Sequence, residues 1–112
     1  MNKAVVKANA KVLSQTAVKE GSVIGEDTVI SNAIIGEYSM IGRNNIINYL
    51  TTGEKVSVGD NIRIIGNDKA TVVLEKGVTV NDAATIMAGV TIKENKTVNY
   101  GESLTKEGVK NG

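Results

Sequence analysis

The stretch Ser22-Val-Ile-Gly-Glu-Asp-Thr-Val-Ile-Ser-Asn-Ala-Ile-Ile-Gly-Glu-Tyr-Ser-Met-Ile-Gly42 decides the fold. Ile24 and Ile30 are six residues apart, Ile35 follows after five, and Ile41 after six more. Working outward, the ladder extends back through Val18, Val12 and Val6 and forward to Ile47, then resumes as Val58 and Ile64, and again as Leu74, Val80, Ile86, Ile92, Val98 and Leu104. Val and Ile make up roughly a quarter of the chain. Eight consecutive hits from Val6 to Ile47 would therefore arise by chance about once in a hundred thousand trials. A second phase supports the first. Four residues after successive ladder positions stand Ala10, Thr16, Ser22, Thr28, Ser39, Asn45 and Ala84, all small or polar, with the bulkier Val78 and Val90 among them. Helical periodicity produces neither spacing, and simple strand alternation does not place a small residue at one phase.

A repeat of six with an inward aliphatic implies short strands joined by corners, three hexads closing one triangular coil of about 18 residues, and coils stacked about 4.8 Å apart. The expected fold is all-β: a single-stranded parallel β-helix of hexapeptide repeats, with about six coils, over residues 1–100. Corners are expected at Gly25-Glu26-Asp27, Gly42-Arg43-Asn44, Gly59-Asp60-Asn61 and Asn81-Asp82, where Gly, Asn and Asp accept positive φ. The five-residue step at Asn32-Ala33-Ile34 reads as a shortened corner. Two interruptions, 48–57 and 65–73, read as loops extruded from the coil. Residues 101–112 turn polar and read as a cap or tail, with Leu104 still in register.

Composition agrees and narrows the function. Among 112 residues there is no Phe, Trp, Pro, Cys or His, and there are only three Tyr. Buried area must come from aliphatic side chains, which suits a thin layered core, and the lack of Pro leaves the backbone amides free to pair between coils. Thirteen basic and twelve acidic residues are interspersed, so nothing points to nucleic acid. Without Cys there is no disulfide or thiolate metal site. No continuous apolar run resembles a signal peptide or a membrane span, which makes a cytoplasmic protein the expectation.

Histidine, the usual general base of acyl transfer, is missing, as are His metal ligands. Glu26 and Glu37 both follow Ile-Gly but lie on different sides of the expected prism, too far apart in phase to share a substrate. Tyr38 and Tyr49 read as a corner and a loop residue. No catalytic residue, cofactor site or metal site is assigned. What stands out is the position before each ladder residue, which faces outward. It is mostly apolar in the first half, with Val5, Val23 and Met40 on one face and Val29 and Ile46 on another, and mostly Thr in the second half. These five residues form the candidate interface, for another subunit or another domain.

The quoted run resembles the C-terminal left-handed β-helix of sugar-nucleotide pyrophosphorylases, including the shortened Ser-Asn-Ala-Ile-Ile-Gly step. Val58-Gly-Asp-Asn-Ile-Arg-Ile-Ile-Gly66 and Val73-Leu-Glu-Lys-Gly-Val-Thr-Val80 are similar to the end of bacterial glucose-1-phosphate adenylyltransferases. The resemblance implies left-handed winding, which the general crossover rule would not give. It also implies a structural, oligomerising and regulatory-support role in ADP-glucose synthesis for glycogen, beside an N-terminal catalytic domain that this chain does not contain. Two other roles stay open: an acyltransferase-like enzyme lacking the usual His, with acyl-CoA bound between subunits near 48–57, and a free-standing scaffold. Self-association as a homo-oligomer is expected under all three.

Overall fold

The computed structural model describes residues 3–106. Among them the chain forms fifteen strands and no α-helix. In order these are β1 (Val5–Val6), β2 (Lys11–Val12), β3 (Ala17–Val18), β4 (Val23–Ile24), β5 (Val29–Ile35), β6 (Met40–Ile41), β7 (Ile46–Thr52) and β8 (Ser57–Val58). They continue with β9 (Arg63–Ile65), β10 (Val72–Leu74), β11 (Thr79–Val80), β12 (Thr85–Met87), β13 (Thr91–Ile92), β14 (Thr97–Val98) and β15 (Ser103–Leu104). Every strand pairing is parallel, and the prism measures 38 × 24 × 23 Å.

The pairing sorts the strands into three faces. The first stacks β1, β4, β6, β8, β11 and β14. The second carries β2, the first halves of β5 and β7, then β9, β12 and β15. The third carries β3, the second halves of β5 and β7, then β10 and β13. Ladder residues meet their own kind: Val6 lies beside Ile24, Ile24 beside Ile41, Ile41 beside Val58, Val58 beside Val80 and Val80 beside Val98. From Ile24 through Leu104 the aliphatic ladder residues are at most 4% exposed. Burying one such side chain contributes roughly 1.5–3 kcal/mol, so the column is the main stabilising feature of the fold.

From Val12 onward each corner except the one before Leu74 is built on a single left-handed residue, three places before the ladder residue it serves. Asn9, Gln15, Gly21, Asp27, Asn32, Tyr38, Asn44 and Tyr49 hold this place in the first coils, and Lys55, Asn61, Gly77, Ala83, Gly89, Asn95 and Gly101 in the rest. Two ways of satisfying the amide that follows recur. At Gly21 the turn closes on itself, with Ser22 N–H donating to Lys19 C=O, and at Gly77 Val78 N–H donates to Glu75 C=O. In the middle coils a buried side chain substitutes. Ser39 N–H donates to Ser22 Oγ and Val56 N–H to Ser39 Oγ, while both hydroxyls donate onward to the carbonyls of Gly36 and Gly53. Thr28 and Asn45 repeat the relay at the next corner, where Ile62 N–H donates to Asn45 Oδ1 at 2.7 Å. The small polar phase seen in the sequence is therefore a hydrogen-bonding column as well as a steric one.

Three features differ from the sequence reading. Residues 48–57 are not an extruded loop: β7 runs through the corner to Thr52, and Leu50 and Val56 are fully buried. Thr52 takes the ladder place, 4% exposed, with its Oγ1 accepting from Gly36 N–H. Of the two expected loops only the second exists. Ile64 and Leu74 are consecutive ladder residues ten apart, and the extra residues form a small excursion tied by an Asn67–Ala70 bridge. Finally, the coil does not end at 100: β15 pairs with β12, and Leu104 is buried. Residues 107–112 of the expected tail lie outside the described residues.

Candidate functional site

Strand pleating aims alternate side chains out of the prism, and register fixes which of them share a face. On the first face Val5 is paired with Val23, and Val23 with Met40. Val5 and Met40 are 48% and 59% exposed, and Val23 is half-buried between them. On the second face Val29 is paired with Ile46, which is 42% exposed. The structure thus brings together the residues singled out in the sequence, in the two groups expected. It adds one more: Ile34, 44% exposed, stands outward on the third face beside Ala17. The coils toward the N-terminus therefore carry an apolar girdle on all three sides. In the later coils the same outward columns hold Ser57, Thr79 and Thr97 on the first face and Arg63, Thr85 and Ser103 on the second. Ile34 was legible as outward from its phase, but the five-residue step hid which face it joined.

Polar residues do not converge into a catalytic arrangement. Glu26 lies in one corner column, where its carbonyl accepts from Asn44 N–H and Asp60 continues the stack above Arg43. Glu37 lies in another, its carbonyl accepting from Lys55 N–H. Asp60 and Asp82 spend a carboxylate oxygen on the backbone amides of Arg43 and Asp60. Tyr38 is a corner residue whose ring covers Gly21, leaving no room there for a Cβ. Tyr49 is also a corner residue and not a loop residue. At the corner between the second and third faces, Asn48 Oδ1 accepts from Ser31 Oγ at 2.9 Å and Asn32 Nδ2 at 3.1 Å. The excursion is held by its own bridge and by Gly89 N–H donating to Ala70 C=O.

Among the described residues no cavity or cleft is deep enough to enclose a small molecule. Nor does any group of three or more His, Cys, Asp or Glu side chains come close enough to hold a metal ion. No helix is long and apolar enough to cross a membrane. What a single chain offers is surface: the apolar girdle of the early coils and the polar β faces of the later ones.

No family model and no curated protein matches the chain. Solved structures do. The acetyltransferase domain of PglB from Neisseria gonorrhoeae, in complex with acetyl coenzyme A, is 16% identical, with a TM-score of 0.56 over 96% of this chain and 54% of that one. A Bacillus cereus protein provisionally named an acetyltransferase is also 16% identical, with a TM-score of 0.56 over 93% of this chain and 70% of that one. PerB from Caulobacter crescentus, in complex with CoA and GDP-perosamine, is 18% identical, with a TM-score of 0.51 over 87% of this chain and 49% of that one. The chain spans about half the length of PglB's domain and of PerB. At these identities the likeness is one of fold, and the fold is a left-handed parallel β-helix of hexapeptide repeats with about six coils.

Proposed function

We propose that this chain is a β-helix module of the acyltransferase type whose own contribution is assembly. The observation that carries this reading is the apolar girdle on a prism whose described residues form no pocket: Val5, Val23 and Met40 on one face, Val29 and Ile46 on the next. Contiguous exposed apolar columns mark a partner surface. A homo-oligomer is the simplest partner, because parallel prisms can present one face each to a closed assembly. The comparisons favour the acyltransferase type over the adenylyltransferase domain of the sequence resemblance, for which they offer no support. The chain has no histidine, so acyl transfer would need a base other than the usual one. An acyl-CoA site would lie between copies, since the described residues of one copy form no cleft.

Sedimentation velocity on the chain and on the Val23→Asp/Met40→Asp variant tests assembly. The expected result is an oligomer that falls to monomer in the variant, with an unchanged circular dichroism spectrum. A monomeric parent, or a variant that sediments like it, overturns the reading. A thermal-shift series with acetyl-CoA, ATP and glucose 1-phosphate tests the type. A ligand well above its Kd should raise the midpoint by several degrees. A rise with ATP and glucose 1-phosphate, and none with acetyl-CoA, would restore the nucleotidyltransferase reading.

A further inference from the structure

The charges around the apolar girdle are not evenly spread. From residue 20 to residue 60 the chain carries six carboxylates, Glu20, Glu26, Asp27, Glu37, Glu54 and Asp60, against Arg43 and Lys55. All of these stand in the two corners that flank the first face, and the corner between the second and third faces has none. Between these rails the outward places of β4, β6 and β8 hold Val23, Met40 and Ser57, and the strands are followed by Gly25, Gly42 and Gly59. A Cβ on Gly25 would collide with the carbonyl oxygen of Gly42, and one on Gly42 with that of Gly59, so this column has to stay bare. The first face is thus a shallow trough with an apolar wall and acidic rails. The second face is its counterpart. Val29 and Ile46 project from β5 and β7, and Arg63 continues their column on β9. Ile65 and Met87 extend the apolar stripe across the same face on β9 and β12. Arg63 is exposed, and no carboxylate of the described residues is within ion-pair distance of it.

We infer that copies of this chain join through unlike faces, the second face of one against the first face of the next. The inference rests on the assembly proposed above and gives it a geometry. An isologous contact uses the same patch on both copies and would leave the other apolar face bare, whereas a heterologous contact covers both. Charge sorts the faces the same way. Two first faces would set acidic rails against acidic rails, and two second faces would set Arg63 against Arg63, whereas unlike faces bring Arg63 to carboxylates. Height agrees as well. In a closed ring of parallel prisms each coil meets the same coil of its neighbour. Strands β4 and β5 share one coil, β6 and β7 the next, and β8 and β9 the one after. Val29, Ile46 and Arg63 therefore come level with Gly25, Gly42 and Gly59, bulk over trough, and Arg63 comes level with Glu54 and Asp60 on the rails. A match at equal height closes a ring without the axial step of a filament.

Sedimentation velocity on two variants of the full chain, alone and mixed, tests the geometry. Val23→Asp/Met40→Asp blocks the first face, and Val29→Asp/Ile46→Asp blocks the second. Each alone is expected to be a monomer with the circular dichroism spectrum of the parent. An equimolar mixture is expected to form a dimer, because each variant supplies the face that the other lacks. Arg63→Glu is a milder block at an exposed position, and it keeps the test decisive where an Asp pair does not fold. It should weaken self-association about tenfold, the size expected when a partly exposed attraction becomes a repulsion. A second-face variant that still associates, beside a first-face variant that does not, shows contact through like faces and overturns the inference while assembly stands. Folded monomers that do not combine on mixing, or an Arg63→Glu variant that associates like the parent, overturn it too. A monomeric parent overturns assembly itself and the inference with it, and assigns the two faces to a different partner.

Discussion

At the scale of single residues, the corner position is where sequence and geometry conflict most openly. Six corners use Asn or Asp and four use Gly, which enter the left-handed region readily. Gln15, Tyr38, Tyr49, Lys55 and Ala83 do so against their preference. Tyr38 has a compensating contact with Gly21. Lys55 does not: it is exposed, and its described interaction is a backbone N–H donated to Glu37 C=O, which any non-proline residue can make. The left-handed cost for an ordinary residue is about 1–2 kcal/mol, and Asn recovers part of it without the added chain entropy of Gly. Lys55→Asn is therefore expected to stabilise the fold by about 0.5–1 kcal/mol. Urea denaturation read by circular dichroism would register this as a higher midpoint at constant slope. A lower midpoint would mean that the Lys55 stem covers apolar surface worth more than the strain.

At the scale of elements, the sequence was most readable where one aliphatic residue marked each hexad. It failed where a hexad broke the code in only one respect. Thr52 stands in the ladder with a hydroxyl satisfied by Gly36 N–H, so a search for aliphatics passes over it and reads a loop where β7 continues. Val56 and Ile62 fill corner places that earlier coils give to Ser39 and Asn45, so the small-residue phase fades at the same point. The second interruption is a true one because it adds residues: Val58 to Val80 spans 22 positions, where Val80 to Val98 spans 18. Deleting Asn67–Ala70 leaves Ile65-Gly66-Thr71-Val72-Val73 between Ile64 and Leu74, a regular hexad. With Thr71→Asn at the new corner, the shortened chain is expected to keep its β-sheet spectrum and to lie within about 1 kcal/mol of the parent. Loss of cooperative unfolding in that variant would show that the excursion fixes the register of the coils on either side.

At the scale of the whole molecule, the candidate site was legible in part, because outward phase follows from inward phase: Val5, Val23 and Met40 share a face as a consequence of the ladder. The inequality of the two ends was not legible, because a repeat looks the same at its first and last coil. That inequality bears on how the prism opens. Stacked repeats are stabilised by nearest neighbours, so terminal coils open first. Both terminal coils pair on one side only, but they differ in burial. Val6, Val12 and Val18 keep only part of the roughly 1.5–3 kcal/mol that full burial of each would contribute, whereas Ile92, Val98 and Leu104 keep nearly all of it. A shortfall of about 3 kcal/mol over three valines corresponds to amides of β1, β2 and β3 exchanging more than about 100-fold faster than those of β7 and β9. The strands β13, β14 and β15 should fall between these limits. Peptide-resolved hydrogen exchange on the free chain would show this ordering as a one-sided gradient. A symmetric profile, with both ends equally labile, would mean that single-sided pairing governs opening and that the exposed valines are not the weak point of the column.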